Sequence, residues 1–139
     1  MKERILVIDD EVEICGLLKT FLTGQGYEVI TATSAQEGIE KLESEKPKVI
    51  LLDIRMPGMD GVEAIKRIRE VDKHVGIIMA TAVMDEKVAQ ETVKLGASDY
   101  IIKPFDLEYL KQSVLVKIAT LTQPGEETPP GANEQKAEQ

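Results

Sequence analysis

Five short runs of mainly aliphatic residues are separated by amphipathic stretches along most of the chain. Runs of this length without alternating polar positions are typical of strands buried on both faces of a parallel sheet. The stretches between them carry apolar residues at helical spacing. We predict strands at Arg4–Asp9, Glu28–Thr31, Val49–Asp53, Val75–Thr81 and Asp99–Ile102. This alternation predicts an α/β fold, a single domain of five βα units with a doubly wound parallel sheet.

Capping residues indicate where the helices between the strands begin. Ser34 and Glu37 form a capping-box pattern for the second helix, and Pro47 follows its predicted end. Asp85 and Asp106 are placed to cap the fourth and fifth helices.

Right-handed crossovers favour the strand order 2-1-3-4-5, in which the winding direction changes between strands 1 and 3. Ligands of such sheets bind at that point, outside the carboxyl ends of the strands.

Polar side chains end four of the predicted strands at this edge. Asp9 and Asp10 end or follow the first strand, Asp53 ends the third, and Thr81 and Lys103 end or follow the fourth and fifth. Neighbouring carboxylates repel one another, so the three acids need a cation or a raised pKa. Mg²⁺ is the usual cation where oxygen ligands meet phosphate chemistry. A lysine at this edge can pair with an anion on Asp53.

Size and composition limit the class of protein. With 139 residues, 42% hydrophobic and 30% charged, the chain predicts one soluble globular domain over residues 1–122, followed by a disordered tail or linker stub over 123–139. A net charge of −8 argues against direct nucleic-acid binding. One cysteine, no long apolar stretch and an N-terminus that enters a strand at once indicate a cytoplasmic protein without membrane contact.

The residues at the strand ends resemble the receiver domain of two-component response regulators. Order and spacing agree from residue 4 to about residue 121. The matching residues are Asp9-Asp10, Asp53 with the following Ile-Arg-Met-Pro-Gly-Met-Asp-Gly, Thr81-Ala82 and Lys103-Pro104-Phe105. The resemblance implies a flavodoxin-like fold and a signalling role in a phosphorelay rather than a classical enzyme.

The resemblance also implies roles for individual residues. Asp53 would take a phosphoryl group from a phosphohistidine on a sensor histidine kinase or phosphotransfer protein. Mg²⁺ would be held by Asp9, Asp10, Asp53 and the backbone carbonyl of Arg55. Lys103 would pair with the phosphoryl oxygens. The site would assist both its own phosphorylation and its own dephosphorylation.

Two further positions would carry the response. Thr81 would donate its hydroxyl to a phosphoryl oxygen, and Tyr100 occupies the switch position of the family, turning inward when Thr81 moves. The surface of the fourth helix, fifth strand and fifth helix would then control a downstream protein or output domain. A phosphorylation-dependent homodimer is a further expectation of this kind.

Other interpretations of the acidic edge remain open from the sequence. Asp9 or Asp10 could serve only as an N-cap of the first helix. An aspartyl-phosphate phosphatase would need a second acid two residues after its nucleophile, where this chain has Glu11. A flavodoxin-like cofactor binder would need hydroxyls and glycines in place of these acids. The remaining alternatives are a docking-only receiver and a receiver fragment of a longer DNA-binding regulator.

Overall fold

Strands and helices alternate in the computed structural model, which describes residues 2–53, 61–82 and 85–122. The elements are β1 (Arg4–Ile8), α1 (Val12–Gly24), β2 (Glu28–Ala32), α2 (Ala35–Glu45), β3 (Val49–Leu52), α3 (Gly61–Val71), β4 (Gly76–Thr81), α4 (Glu86–Lys94), β5 (Asp99–Ile102) and α5 (Leu107–Thr122). The strands pair in parallel in the order β2-β1-β3-β4-β5. The predicted doubly wound fold and strand order are therefore confirmed. The predicted tail, 123–139, lies outside the described residues.

Two strands end one residue earlier than the sequence predicts. Asp9 and Asp53 are predicted as final strand residues, whereas β1 ends at Ile8 and β3 at Leu52. Both aspartates still donate backbone hydrogen bonds across the sheet, from Asp9 N to Ala32 O at 3.0 Å and from Asp53 N to Ile8 O at 2.9 Å. Their backbones are therefore fixed by the sheet, while their side chains lie at its edge. The other predicted strands agree to within one residue at each end.

The sheet is covered by helices on both faces. Ile5 and Val7 point to a cluster that includes residues of α1 and α5, whereas Leu6 and Ile8 point to a cluster with residues of α2 and α3. All four of these side chains are at most 1% exposed. Full burial of such a side chain contributes about 1.5–3 kcal/mol, so this double burial holds the strand ends in place. No helix in the described ranges has the length and apolar character needed to cross a bilayer.

The second helix begins with a variant of the predicted capping box. Ser34 Oγ accepts a hydrogen bond from the backbone N–H of Glu37 at 3.1 Å, as predicted. The Glu37 carboxylate accepts at 2.9 Å from the backbone N–H of Thr33, one residue before the N-cap, rather than from that of Ser34. The side chains of Asp85 and Asp106 accept backbone N–H groups at the starts of α4 and α5, which confirms both predicted caps.

Substituting the N-cap of α2 should cost a measurable part of the stability. We expect Ser34→Ala to lower the free energy of unfolding by about 1 kcal/mol, because the Glu37 N–H loses its acceptor. Urea unfolding followed by circular dichroism measures the change. Ser44→Ala is the matched control, since Ser44 is exposed and its hydroxyl donates a long 3.5 Å bond to Lys41 O. Equal losses in the two variants would contradict the assignment of Ser34 as the cap.

Candidate functional site

The hydrogen-bonding of the sheet brings the predicted site residues to one edge. Asp53 is next to the end of β1 because its N–H donates to Ile8 O. At the other side of the edge, the N–H of Lys103 donates to Thr81 O at 2.8 Å, so Lys103 directly follows the pairing of β4 with β5. The bond between Lys103 and Pro104 is cis. These connections place residues that are far apart in sequence at the carboxyl ends of adjacent strands.

The ammonium group of Lys103 lies among three carboxylates. Its Nζ atom is 2.7 Å from Asp9 Oδ2, 2.9 Å from Glu11 Oε1 and 3.2 Å from Asp53 Oδ2. The side chains of Lys103, Asp9 and Asp53 are only 9%, 3% and 6% exposed. Water therefore screens the pairs of Lys103 with Asp9 and Asp53 weakly, and each of these charges depends on its partners. In this geometry Lys103 pairs with the carboxylate of Asp53 itself.

Burial and ion pairing shift the pKa values of Lys103 and Asp9. Burial disfavours the ammonium of Lys103, but hydrogen bonds to Asp9 and Glu11 and the charge of Asp53 outweigh it, so the pKa of Lys103 is raised. Burial also raises the pKa of Asp9, although Lys103 and the backbone N–H of Glu11 act to lower it. Asp9 is therefore a carboxylate whose charged form depends on its cationic neighbour.

The acidic residues form a group that could hold a cation. Carboxylate oxygens of Asp9, Asp10, Glu11 and Asp53 all lie within 4.8 Å of one another. Oxygen-only ligands of this charge suit a hard divalent ion, for which Mg²⁺ and Ca²⁺ are the usual biological candidates. The donor set therefore fits the predicted metal. The remaining predicted ligand, the carbonyl of Arg55, lies outside the described residues.

Glu11 is the site residue that the sequence did not predict. It follows the two aspartates directly, and its carboxylate reaches the lysine that comes 92 residues later. Glu11 is also the N-cap residue of α1, without a side-chain capping bond. The hypothesis that Asp9 or Asp10 serves as the N-cap is thus wrong; Asp9 Oδ1 instead accepts the backbone N–H of Glu11 at 2.9 Å. An acid immediately after the acidic pair was the available signal for Glu11.

The two predicted switch residues occupy neighbouring strands. Thr81 is fully buried at the end of β4. Tyr100 is half-buried in β5, pairs in register with Met79, and packs against the cluster that includes residues of α2 and α3. Burial raises the pKa of the Tyr100 phenol, and the charges of Asp85 and Asp53 add to this. The two residues therefore connect the acidic edge with the core on one face of the sheet.

Comparison with known proteins supplies the family. The model of the response regulator receiver domain matches residues 5–115. The sporulation initiation phosphotransferase F of Bacillus subtilis is 34% identical over 114 residues, which cover 82% of this chain and 92% of that protein. The chemotaxis protein CheY of Thermotoga maritima is 40% identical over 106 residues, covering 76% and 88%.

Longer proteins and solved structures agree with this assignment. The alkaline phosphatase synthesis transcriptional regulatory protein PhoP of Bacillus subtilis is 43% identical over 105 residues, which make up only 44% of its length. The crystal structure of a CheY-like receiver domain protein from Methanospirillum hungatei has a TM-score of 0.86 at 30% identity, covering 90% of this chain and all of that one. This chain belongs to the response regulator receiver domain family of two-component systems.

Proposed function

We propose that Asp53 accepts a phosphoryl group from a phosphohistidine of a sensor histidine kinase or phosphotransfer protein. Receiver domains interact with such proteins and with output domains. The observation that carries the proposal is the ion pair between Lys103 and Asp53, which lies at the edge of the sheet beside Asp9. A nearly buried carboxylate with a lysine 3.2 Å away is positioned to react with an anionic group that the lysine also attracts.

The transfer is a displacement at phosphorus. One Oδ atom of Asp53 forms the new P–O bond while the P–N bond to the donor histidine breaks, and the imidazole leaves with the electron pair of that bond. The protein contributes positioning and charge. Lys103 pairs with the oxygens of the phosphoryl group, and the hydroxyl of Thr81 donates to one of them. Water attack on the same phosphorus reverses the modification, which makes the site responsible for its own dephosphorylation.

Mg²⁺ is the cation we propose for the acidic group. Asp9, Asp10 and Asp53 would hold it together with the carbonyl of Arg55, and their clustered oxygens support this choice. When bound, it would supply positive charge that offsets the repulsion between the carboxylates and the phosphoryl oxygens.

The signal is proposed to leave through the surface of α4, β5 and α5. Phosphorylation adds negative charge and acceptor oxygens, which attract Thr81 and Lys103 and bias the position of Tyr100. On this surface, Asp99 of β5 accepts hydrogen bonds from Tyr109 at 2.8 Å and Ser113 at 2.7 Å. These bonds connect β5 with α5, so a change in the strand is passed to the helix.

The downstream partner is proposed to be a separate protein or an output domain joined to the receiver. The chain covers most of two relatives and less than half of PhoP, so both arrangements occur among its relatives. We also propose that the same surface forms a phosphorylation-dependent homodimer. We propose that this phosphoryl transfer takes place in the cytoplasm, where the single cysteine of the chain remains reduced.

Phosphorylation with a small donor tests the proposal directly. We expect acetyl phosphate and Mg²⁺ to add one phosphoryl group to the native protein, observed as a single mass increase. Asp53→Asn should show no added mass, because a neutral amide oxygen is a far weaker nucleophile than a carboxylate oxygen. Asp85→Asn is the control, since Asp85 caps α4 and is exposed. Equal labelling of the native protein and Asp53→Asn would contradict the proposal.

A further inference from the structure

Glu11 is an exposed acid that contacts a nearly buried lysine. Its side chain is 59% exposed, yet its Oε1 atom is 2.9 Å from Lys103 Nζ. The residue is the N-cap of α1, where a side chain can accept backbone N–H groups, but it makes no such bond. Instead it reaches Lys103, the residue directly after β5. Within the described part of the chain, Lys103 is thus the polar partner of this side chain.

The three carboxylates around Lys103 differ in how readily they can release it. An ammonium group has three N–H donors, and here three carboxylates lie within 3.2 Å of it. Asp9 is almost fully buried, so its carboxylate would be left without compensating water if the lysine moved away. Asp53 is the proposed phosphoacceptor and carries the incoming group. Glu11 is the exposed partner, and water can replace the lysine there at little cost.

We propose that Glu11 is a positioning residue that holds the Lys103 ammonium in its resting place and competes with the phosphoryl group for it. The inference rests on the proposed phosphoacceptor role of Asp53. Each phosphorylation then requires the ion pair between Glu11 and Lys103 to break, so that the lysine can follow the phosphoryl oxygens. Glu11 thereby slows phosphorylation and favours return to the unmodified state.

Two substitutions of Glu11 distinguish its contact with Lys103 from simple repulsion of the negatively charged phosphodonor. Glu11→Gln removes the charge and weakens the contact with Lys103. Glu11→Asp keeps the charge but shortens the side chain by one methylene, so that it no longer reaches the lysine at 2.9 Å. We expect both variants to be phosphorylated faster than the native protein. The expected increase is roughly three- to tenfold for Glu11→Gln, as for the loss of one partly exposed ion pair, and smaller for Glu11→Asp.

Glu13→Gln is the matched control. Glu13 lies in the first turn of the same helix, is exposed, and would change the net charge by the same amount. We expect its rate to remain within about twofold of the native rate, because only weakly screened charges near the site affect the donor strongly. The rate constant with acetyl phosphate is measured at fixed ionic strength and fixed Mg²⁺. Thermal unfolding of each variant checks that the fold is retained.

The possible outcomes are distinct. Acceleration in both Glu11 variants and not in Glu13→Gln supports the inference. Acceleration in Glu11→Gln alone, with Glu11→Asp at the native rate, would mean that Glu11 only repels the donor and would overturn it. Equal rates in all variants would overturn it as well. If the native protein itself gained no phosphoryl group, the proposed function would fail, and not the positioning role alone.

Discussion

Replacing Lys103 with methionine is expected to lower the free energy of unfolding by about 3 kcal/mol at neutral pH. Methionine has a similar length and removes only the charge and its donors. Asp9 and Asp53 are left as nearly buried carboxylates without the ammonium that lies 2.7 and 3.2 Å from them. Buried charges that lose their partner destabilise the folded state strongly, because water cannot solvate them. Urea unfolding followed by circular dichroism, without divalent cations, measures the loss.

The size of this loss should depend on pH. Burial already raises the pKa of Asp9 above its ordinary value of 3.8, and Lys103 is one of the groups that lower it. Without the lysine, the pKa of Asp9 in the folded state rises further. A raised folded-state pKa contributes stability that is present below the unfolded pKa and is lost as the pH rises through the folded value. The deficit of Lys103→Met should therefore be smallest below pH 3.8 and grow toward neutral pH.

Two further variants test whether the stability loss of Lys103→Met comes from the buried carboxylates. Lys111→Met removes a half-buried lysine that pairs with the exposed Glu108 at 3.7 Å, and should change the stability by less than about 0.5 kcal/mol. Adding Asp53→Asn to Lys103→Met should recover part of the loss, because one buried charge fewer remains. A loss in Lys103→Met no larger than in Lys111→Met would show that water reaches these carboxylates freely.

The sequence predicts most of the residues that meet at the edge of the sheet, because the backbone geometry of parallel strands determines which residues lie there. Once Asp53 and Lys103 are assigned to the ends of parallel strands, the sheet brings them to the same edge. The ion pair between Lys103 and Asp53 then requires only a side chain long enough to reach across the edge. The strand ends differ by one residue because the last hydrogen bonds of Asp9 and Asp53 lie outside the regular pairing.

Side-chain contacts that depend on tertiary structure are not predictable in the same way. Glu11 could have capped α1, as its position suggests, and only the place of Lys103 in three dimensions explains why it does not. Arg69 is a second example. Its place on α3 indicates an ordinary helical arginine, whereas its guanidinium contacts backbone carbonyls on two other parts of the chain.

Arg69 fixes the end of α4 to α3 through hydrogen bonds to the main chain. Its Nη1 atom donates to Val75 O at 2.7 Å and to Asp72 O at 3.3 Å, before β4. Its Nη2 atom donates to Gly96 O at 3.1 Å, immediately after α4. Gly96 has a φ of +105°, and a Cβ there would lie 3.0 Å from the same Nη2 atom. Glycine thus serves both the backbone conformation and the close approach of the arginine.

We expect Arg69→Met to lower the free energy of unfolding by about 2–4 kcal/mol, among the largest losses for a residue outside the site. The substitution keeps an apolar stem but leaves carbonyls at the ends of α3 and α4 without their charged donor. The loss should be accompanied by faster hydrogen exchange at the amide of Ala97, which donates to Thr92 O at the end of α4. Urea unfolding and hydrogen exchange followed by NMR measure the two effects.

Arg67→Met provides the matched control on the same helix. Arg67 is half exposed and pairs with Glu63 at 3.5 Å, one turn earlier. Such a surface pair contributes about 0.3–0.5 kcal/mol, so the control should unfold close to the native midpoint with unchanged exchange at Ala97. If both arginine variants lost equal stability, the carbonyl contacts of Arg69 would contribute no more than an exposed ion pair. A large loss in Arg69→Met with unchanged exchange at Ala97 would instead place its effect at the Val75 side rather than at α4.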